Sequence, residues 1–156
     1  MDFQIRKGGK ADIPAIFQLV YELADFENGL DNLTNTPEQM EKDWDRENPL
    51  YDFFVVENEA KEIIGTAIYY MGYSTWRGAF FYLEDLYVQE KYRGHGIGSK
   101  LFDFLIREAK KQGAKRMGWQ VLDWNKPAIE FYKKLQAEFD DEWINVRLSE
   151  AQINNH

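Results

Sequence analysis

The most constraining feature of the chain is Arg93-Gly94-His95-Gly96-Ile97-Gly98-Ser99-Lys100, set between a strand pattern and a helix pattern. Ala79 to Val88 is dense in aromatic and apolar residues, the signature of a strand. Beyond the glycines, Ile97, Leu101, Phe104, Leu105 and Ala109 recur at helical spacing, and Gly113 stops the helix. Glycines at alternate positions let the backbone approach a ligand closely, with N–H groups pointing outward at a helix N-terminus. Such a turn favours a pyrophosphate. It is not a Walker loop, because Gly-Ser-Lys stands where Gly-Lys-Ser/Thr is required, and its G-x-G-x-G spacing is not a dinucleotide fingerprint. Read alone, the segment also admits a glycine-rich connection with no ligand.

The rest of the chain supplies the layers around this unit. Phe3 and Ile5 alternate with Gln4 and Arg6 as a short strand, and Gly8-Gly9 breaks it. A helix is expected from an Asp12 N-cap, with Pro14 in its first turn and Ile13, Ile16, Phe17, Val20 and Leu23 on one face. Thr36-Pro37-Glu38-Gln39 has the form of a capping box and opens a second, acidic helix ending near Arg46. Phe53 to Val56, Ile63 to Met71 and Ala79 to Val88 read as a three-strand meander, with turns at Glu59-Ala60-Lys61 and Trp76-Arg77-Gly78. Met117 to Leu122 reads as a strand, Pro127 to Leu135 as a helix and Trp143 to Leu148 as a closing strand. The order βααβββαβαβ predicts one α/β (α+β) domain over residues 1–156. Its sheet is mixed and mainly antiparallel, with helices on both faces.

Composition removes whole classes of chemistry. The chain has no cysteine, which excludes disulfides, thiolate metal sites and thiol nucleophiles. His95 and His156 are the only histidines, so no metal site or histidine-based triad is expected. No apolar run is long enough for a membrane span, and Met1-Asp2-Phe3-Gln4 does not open a signal peptide; the expected address is cytoplasmic. The net charge of −8 argues against nucleic acid as a partner. The charge is also partitioned. Residues 91–134 carry 11 basic and 4 acidic residues, whereas residues 22–59 carry 12 acidic and 2 basic ones. This pattern suits an anion on one half and a cation on the other, or simply a solvated acidic face on two helices.

The form R-x-x-G-x-G after an acidic, aromatic strand resembles the acetyl-CoA loop of the GNAT acetyltransferases. Tyr82-Leu83-Glu84-Asp85-Leu86-Tyr87-Val88 followed by Tyr92-Arg93-Gly94-His95-Gly96-Ile97-Gly98-Ser99 resembles the diamine, or spermidine/spermine, N-acetyltransferases within that superfamily. Glu22-Leu23-Ala24 before Phe26-Glu27, Ala67-Ile68-Tyr69-Tyr70, and Trp124-Asn125-Lys126-Pro127-Ala128-Ile129-Glu130-Phe131-Tyr132 extend the resemblance collinearly from about residue 4 to residue 137. It implies a GNAT fold, acetyl-CoA as cosubstrate, a small polycationic amine as acceptor, and a homodimer.

The resemblance also distributes roles. Acetyl-CoA would be held by the strand backbone at Leu86, Tyr87 and Val88, by Arg93, Gly94, His95, Gly96, Ile97, Gly98 and Ser99, and by Asn125, Lys126, Pro127 and Ala128. Tyr132 would be the proton donor and Glu84 the water-linked base. Phe26, Glu27 and Glu84 would lie at the amine site, and Gly118, Trp119 and Gln120 would line it. Three positions depart from the family pattern: Ser74 where an acid is frequent, Leu135 where a phosphate-side arginine is expected, and Gln136 where glycine is usual.

The residues agree with that chemistry. An alkylamine has a pKa of about 10.4 and cannot attack a thioester until it loses a proton. Without a histidine base, a carboxylate acting through ordered water is the natural means. Asp85 would face away from Glu84 on a regular strand, so the two act together only if a bulge re-aims one, and such a bulge is expected. Trp76, in a turn, is placed to touch substrate methylenes or a cation. Tyr132 can donate a hydrogen bond to a departing thiolate, and with no cysteine or G-x-S-x-G the transfer should be direct in a ternary complex. Two alternatives stay open: a GNAT acting on an amino acid such as thialysine or another lysine analogue, and a noncatalytic acetyl-CoA-binding adaptor.

Overall fold

The computed structural model describes residues 1–156. Its elements run β1 (Phe3–Lys7), α1 (Ile13–Phe26), α2 (Pro37–Trp44), β2 (Asp52–Asn58), β3 (Ile63–Ser74), β4 (Gly78–Val88), α3 (Ile97–Lys111), β5 (Arg116–Gly118), α4 (Lys126–Lys134) and α5 (Glu150–Asn154). The chain divides into two compact units, Met1–Gln120 and Val121–His156.

The first unit holds a five-stranded sheet in the order β1-β2-β3-β4-β5. The first four strands pair antiparallel in sequence order: β2, β3 and β4 form the expected hairpin-linked meander, β1 pairs with β2 across the two intervening helices, and β5 joins β4 in parallel. On one face, Ile13 and Ile16 of α1 and Met40 of α2 pack with Phe53 and Val55 of β2 and Ile68 of β3. On the other, Phe54 meets Phe104 of α3 edge to face at 5.7 Å, and Tyr69 stacks on Phe81 at 4.4 Å. The alternation of strand side chains thus divides one sheet between two helical layers. Full burial of side chains such as Ile13, Ile16, Phe53 and Leu105 stabilises the unit by roughly 1.5–3 kcal/mol each.

Capping follows local chemistry with one change. Thr36 accepts from the Gln39 N–H and opens α2 as its sequence predicts. Asp12 precedes α1 but does not cap it; its carboxylate accepts from the Gly9 N–H and from Arg6. An arginine one strand away offers the carboxylate a stronger, charge-assisted partner than a helix N–H.

Two strand expectations are corrected. Met117 to Leu122 shrinks to Arg116–Gly118, whose last pair is Tyr82 with Gly118. The β3–β4 register shifts two residues further along, where Ile68 faces Asp85 and Tyr69 faces Leu83, so Glu84 is an extra residue on β4. A bulge bends the strand that carries it, so β5 loses its ladder partner there. Trp143 to Leu148 forms no strand: an alternating pattern alone does not make one. Ile144 and Val146 are 88% and 90% exposed. In the second unit, Asn125 accepts from the Ala128 N–H and opens α4 with Pro127 in its first turn, and Ser149 caps the short α5. No helix is long and apolar enough to cross a membrane.

Candidate active site

The site is organised by the bulge at Glu84. Ahead of it, Phe80 and Tyr82 share the face of Tyr70, the cross-strand partner of Tyr82; beyond it, Asp85 pairs with Ile68 and Tyr87 with Thr66. Ile68 belongs to the core beneath α1 and α2, so Asp85 falls on the α1 side. The extra residue changes the strand from even to odd positions on that face, which brings Glu84 and Asp85 together as the sequence required.

Electrostatics identify Asp85 as the unusual group. Burial first, then the negative charges of Glu84 and Glu27, push its carboxyl up to about 7. Glu27 is the C-cap residue of α1, and partial burial raises its carboxyl as well. Glu84 is exposed. Tyr70 and Tyr82 stand beside it with ring centres 5.1 Å apart; burial, then Glu84, raises both phenols. Both tyrosines lie in the quoted motifs, but the motifs give neither a site role; the i, i+2, i+4 alternation of Phe80, Tyr82 and Glu84 is the signal for Tyr82.

The end of α1 is tied to the end of β4. Gln89 donates to the Glu22 carboxylate at 3.0 Å, and Arg93 Nε donates to the Val88 carbonyl at 2.9 Å. The Arg93 guanidinium lies 5.4 Å from the Phe26 ring centre and 5.3 Å from that of Tyr87. Burial raises the Tyr87 phenol, Glu22 adds to this, and Arg93 opposes it. An open cleft of about 490 Å³ is lined by Glu22, Tyr87, Gln89, Glu90 and Lys91.

The glycine loop has the shape a pyrophosphate needs. Gly94 and Gly96 have φ of +79° and +75°, in the left-handed region, and nothing lies within 4 Å of a Cβ built on Gly94, Gly96 or Gly98. No side chain caps α3 and no acid sits in its first turn, so the first N–H groups remain available to an anion. Ile97 is buried beneath, which anchors the loop, while Ser99 is exposed. His95 is folded back, with Nδ1 3.0 Å from the Arg93 carbonyl oxygen. These residues fit acetyl-CoA.

Other predicted site residues are placed as follows. Trp76 is 86% exposed at the tip of the β3–β4 hairpin, where the Ser74 hydroxyl accepts from the Arg77 N–H. A Cβ on Gly118 would lie 2.9 Å from the Phe80 ring, so glycine permits that approach. Trp119 is half-buried and meets Phe102 of α3 edge to face at 5.2 Å, a packing contact, while Gln120 is exposed. Leu86 pairs with Ala67. In the second unit, Lys126 begins α4, Tyr132 is buried and edge to face with Phe131, and Lys133 pairs with Glu130. No group of three or more metal-ligating side chains is present.

The acetyltransferase (GNAT) family model matches residues 17–136. The chain is 37% identical over 141 residues to a thialysine N-epsilon-acetyltransferase of Bos taurus, covering 86% of this chain and 83% of the relative. It is 32% identical over 160 residues to the human spermidine/spermine N(1)-acetyltransferase-like protein 1, covering 97% of this chain and 23% of that protein. In fold it matches an aminoglycoside acetyltransferase from an uncultured soil metagenomic sample with a TM-score of 0.77 at 18% identity, over 94% of this chain and 95% of the other. The matched family model, together with a five-stranded mixed sheet and an anion-ready glycine loop, places this chain in the acetyltransferase (GNAT) family, enzymes that take their acetyl group from acetyl-CoA.

Proposed function

We propose that residues 1–156 form one enzyme domain that acetylates a primary amine of a diamine or polyamine, such as spermidine or spermine, by direct transfer in a ternary complex. The observation that carries this reading is the set of three carboxylates, Glu27, Glu84 and Asp85, in which the charges of Glu84 and Glu27 both press on Asp85. A diamine presents one nitrogen for attack and at least one distant ammonium to be held. Multiple carboxylates beside an aromatic wall of Tyr70 and Tyr82 suit that demand, and the acidic surplus of residues 22–59 steers cations toward them.

In this reading the glycine loop and the Leu86–Val88 backbone hold acetyl-CoA, with Asn125 to Ala128 completing the set. A carboxylate of the acidic group takes the proton of the ammonium. Tyr132 donates to the departing sulfur. Phe26, Glu27 and Trp76 contact the amine. The enzyme is read as a cytoplasmic homodimer.

A second reading is favoured by the bovine relative: the acceptor is thialysine or another lysine analogue. Such a substrate brings an α-carboxylate, which the acidic group repels. An amine panel with acetyl-CoA, scored by thiol release, separates the two readings, and a chain without cysteine is silent to the thiol reagent. Spermidine, spermine or a shorter diamine should outrun lysine. Faster turnover of thialysine than of every polyamine selects the second reading, and no thiol release with any amine defeats both.

A further inference from the structure

We infer that Asp85, rather than Glu84, receives the proton of the attacking ammonium, and that Glu84 holds positive charge at the solvent side of the site. The inference rests on the amine-acetylating reading above. The register shift at Ile68 and Tyr69 makes Glu84 the inserted residue and turns both carboxyls to the α1 side of the sheet. Of the two, Glu84 is exposed and Asp85 is partly buried, opposite Ile68 of the core. Asp85 directly precedes Leu86, the first residue of the strand stretch assigned to acetyl-CoA. The inner carboxyl is therefore the one on the strand stretch that leads into the assigned acetyl-CoA backbone, and the outer one is exposed.

The charges around Asp85 sharpen the distinction. From α1 it feels Glu27, and along β4 it feels Glu84; both are negative. Tyr82 of β4 and Tyr70 of β3 stand with Glu84 and are neutral phenols raised further by burial. Beyond them, Glu22 accepts from Gln89, and Arg93 is engaged with Phe26 and Tyr87. A carboxyl pressed by two negative neighbours and by burial binds a proton more tightly than an exposed one. The Asp85 carboxyl is pushed up to about 7, which brings it closer to an ammonium of pKa about 10.4.

The proton balance is simple. R–NH3⁺ gives one proton to the Asp85 carboxylate, directly or through a water, and the freed nitrogen lone pair forms the C–N bond at the thioester carbonyl. The C–S bond breaks with its electron pair on sulfur. Tyr132 gives its phenolic proton to that sulfur and is restored by the second nitrogen proton, giving the amide and free thiol, and Asp85 then releases its proton to solvent.

The experiment is the pH dependence of kcat/KM for spermidine with acetyl-CoA, read by thiol release, alongside a carboxyl ¹³C NMR titration of Asp85. Wild type should rise with pH through about 7, in step with the Asp85 resonance. Glu27→Gln removes a negative neighbour, so both the kinetic rise and the resonance should move to lower pH. Asp85→Asn should lose roughly 10²-fold in kcat and lose the rise, with partial recovery in Asp85→Glu. Glu84→Gln should raise KM for the amine and keep the rise. A rise that persists in Asp85→Asn, or one that disappears in Glu84→Gln, overturns the assignment and returns the base role to Glu84. If Asp85→Asn does not fold, the Glu27→Gln displacement decides: an unmoved rise overturns the assignment. Absence of thiol release from wild type with any amine overturns the acetyl-transfer reading itself, a result distinct from active enzyme with the wrong pH profile.

Discussion

Arg93 Nε donates to the Val88 carbonyl oxygen at 2.9 Å, and the same side chain lays its guanidinium 5.4 Å from the Phe26 ring centre. One residue therefore joins the start of the glycine loop to the end of β4 and to the end of α1, where the acidic group begins. Arg93→Ala removes a charge-assisted hydrogen bond and two cation–π contacts, each worth about 0.5–1.5 kcal/mol at a solvent-facing site. KM should rise about 3- to 10-fold for acetyl-CoA and for the amine alike. Arg93→Lys keeps the charge without the planar fork and should recover acetyl-CoA better than the amine. Steady-state kinetics with both substrates varied checks this; an effect confined to acetyl-CoA contradicts the link to Phe26.

A second prediction concerns acid stability. Arg6 bridges Asp12 and Glu57, with contacts of 2.7 Å to each, and both carboxylates are largely buried. Hydrogen bonding to Arg6 holds both carboxyls below their usual range. A depressed carboxyl contributes stability that is present above its unfolded pKa of about 4 and lost as pH falls through the folded value. Arg6→Met should cost about 1–2 kcal/mol at pH 7, discounted for the partial exposure of Arg6, and the gap from wild type should close toward pH 3. Urea unfolding at several pH values measures it.

Gln136 follows α4 with φ of +59°, where most side chains are strained and glycine is not. Its N–H donates to the Lys133 carbonyl, and the next N–H, from Ala137, reaches back to the Tyr132 carbonyl, so the turn is a helix stop built for a left-handed residue. Gln136→Gly should stabilise the protein by about 1 kcal/mol and raise the melting temperature by about 2–4 °C. An unchanged or lower melting temperature removes the strain argument.

Tyr132 is buried in α4 with its ring edge to face against Phe131. Tyr132→Phe keeps the ring and deletes the hydroxyl. Turnover should fall roughly 10²-fold while circular dichroism and melting temperature stay close to wild type, the pattern of a lost proton donor. Turnover within about twofold of wild type means that the thiolate leaves without its help.

The sequence by itself determined the order of elements as far as α4, the glycine loop before α3 and the acidic character of residues 22–59, because each is a local property. Helical spacing of Ile97, Leu101 and Leu105 needs only the chain's own period, and Thr36 and Asn125 cap helices through backbone groups three residues away. The tertiary structure decided what depends on the neighbours a side chain meets in space. Asp12 looked like a helix cap until Arg6 and the Gly9 turn claimed its carboxylate. Trp143 to Leu148 has the alternation of a strand, yet it forms none. Trp119 meets Phe102 of α3 edge to face, just past the end of β5. The difference between Glu84 and Asp85 was hidden most deeply. Two adjacent carboxylates look equivalent in a sequence, and only the bulge, burial and the negative charges of Glu84 and Glu27 leave Glu84 exposed and push the Asp85 carboxyl up. Desolvation and charge coupling are set by what surrounds a side chain in space, and an amino-acid sequence does not state that.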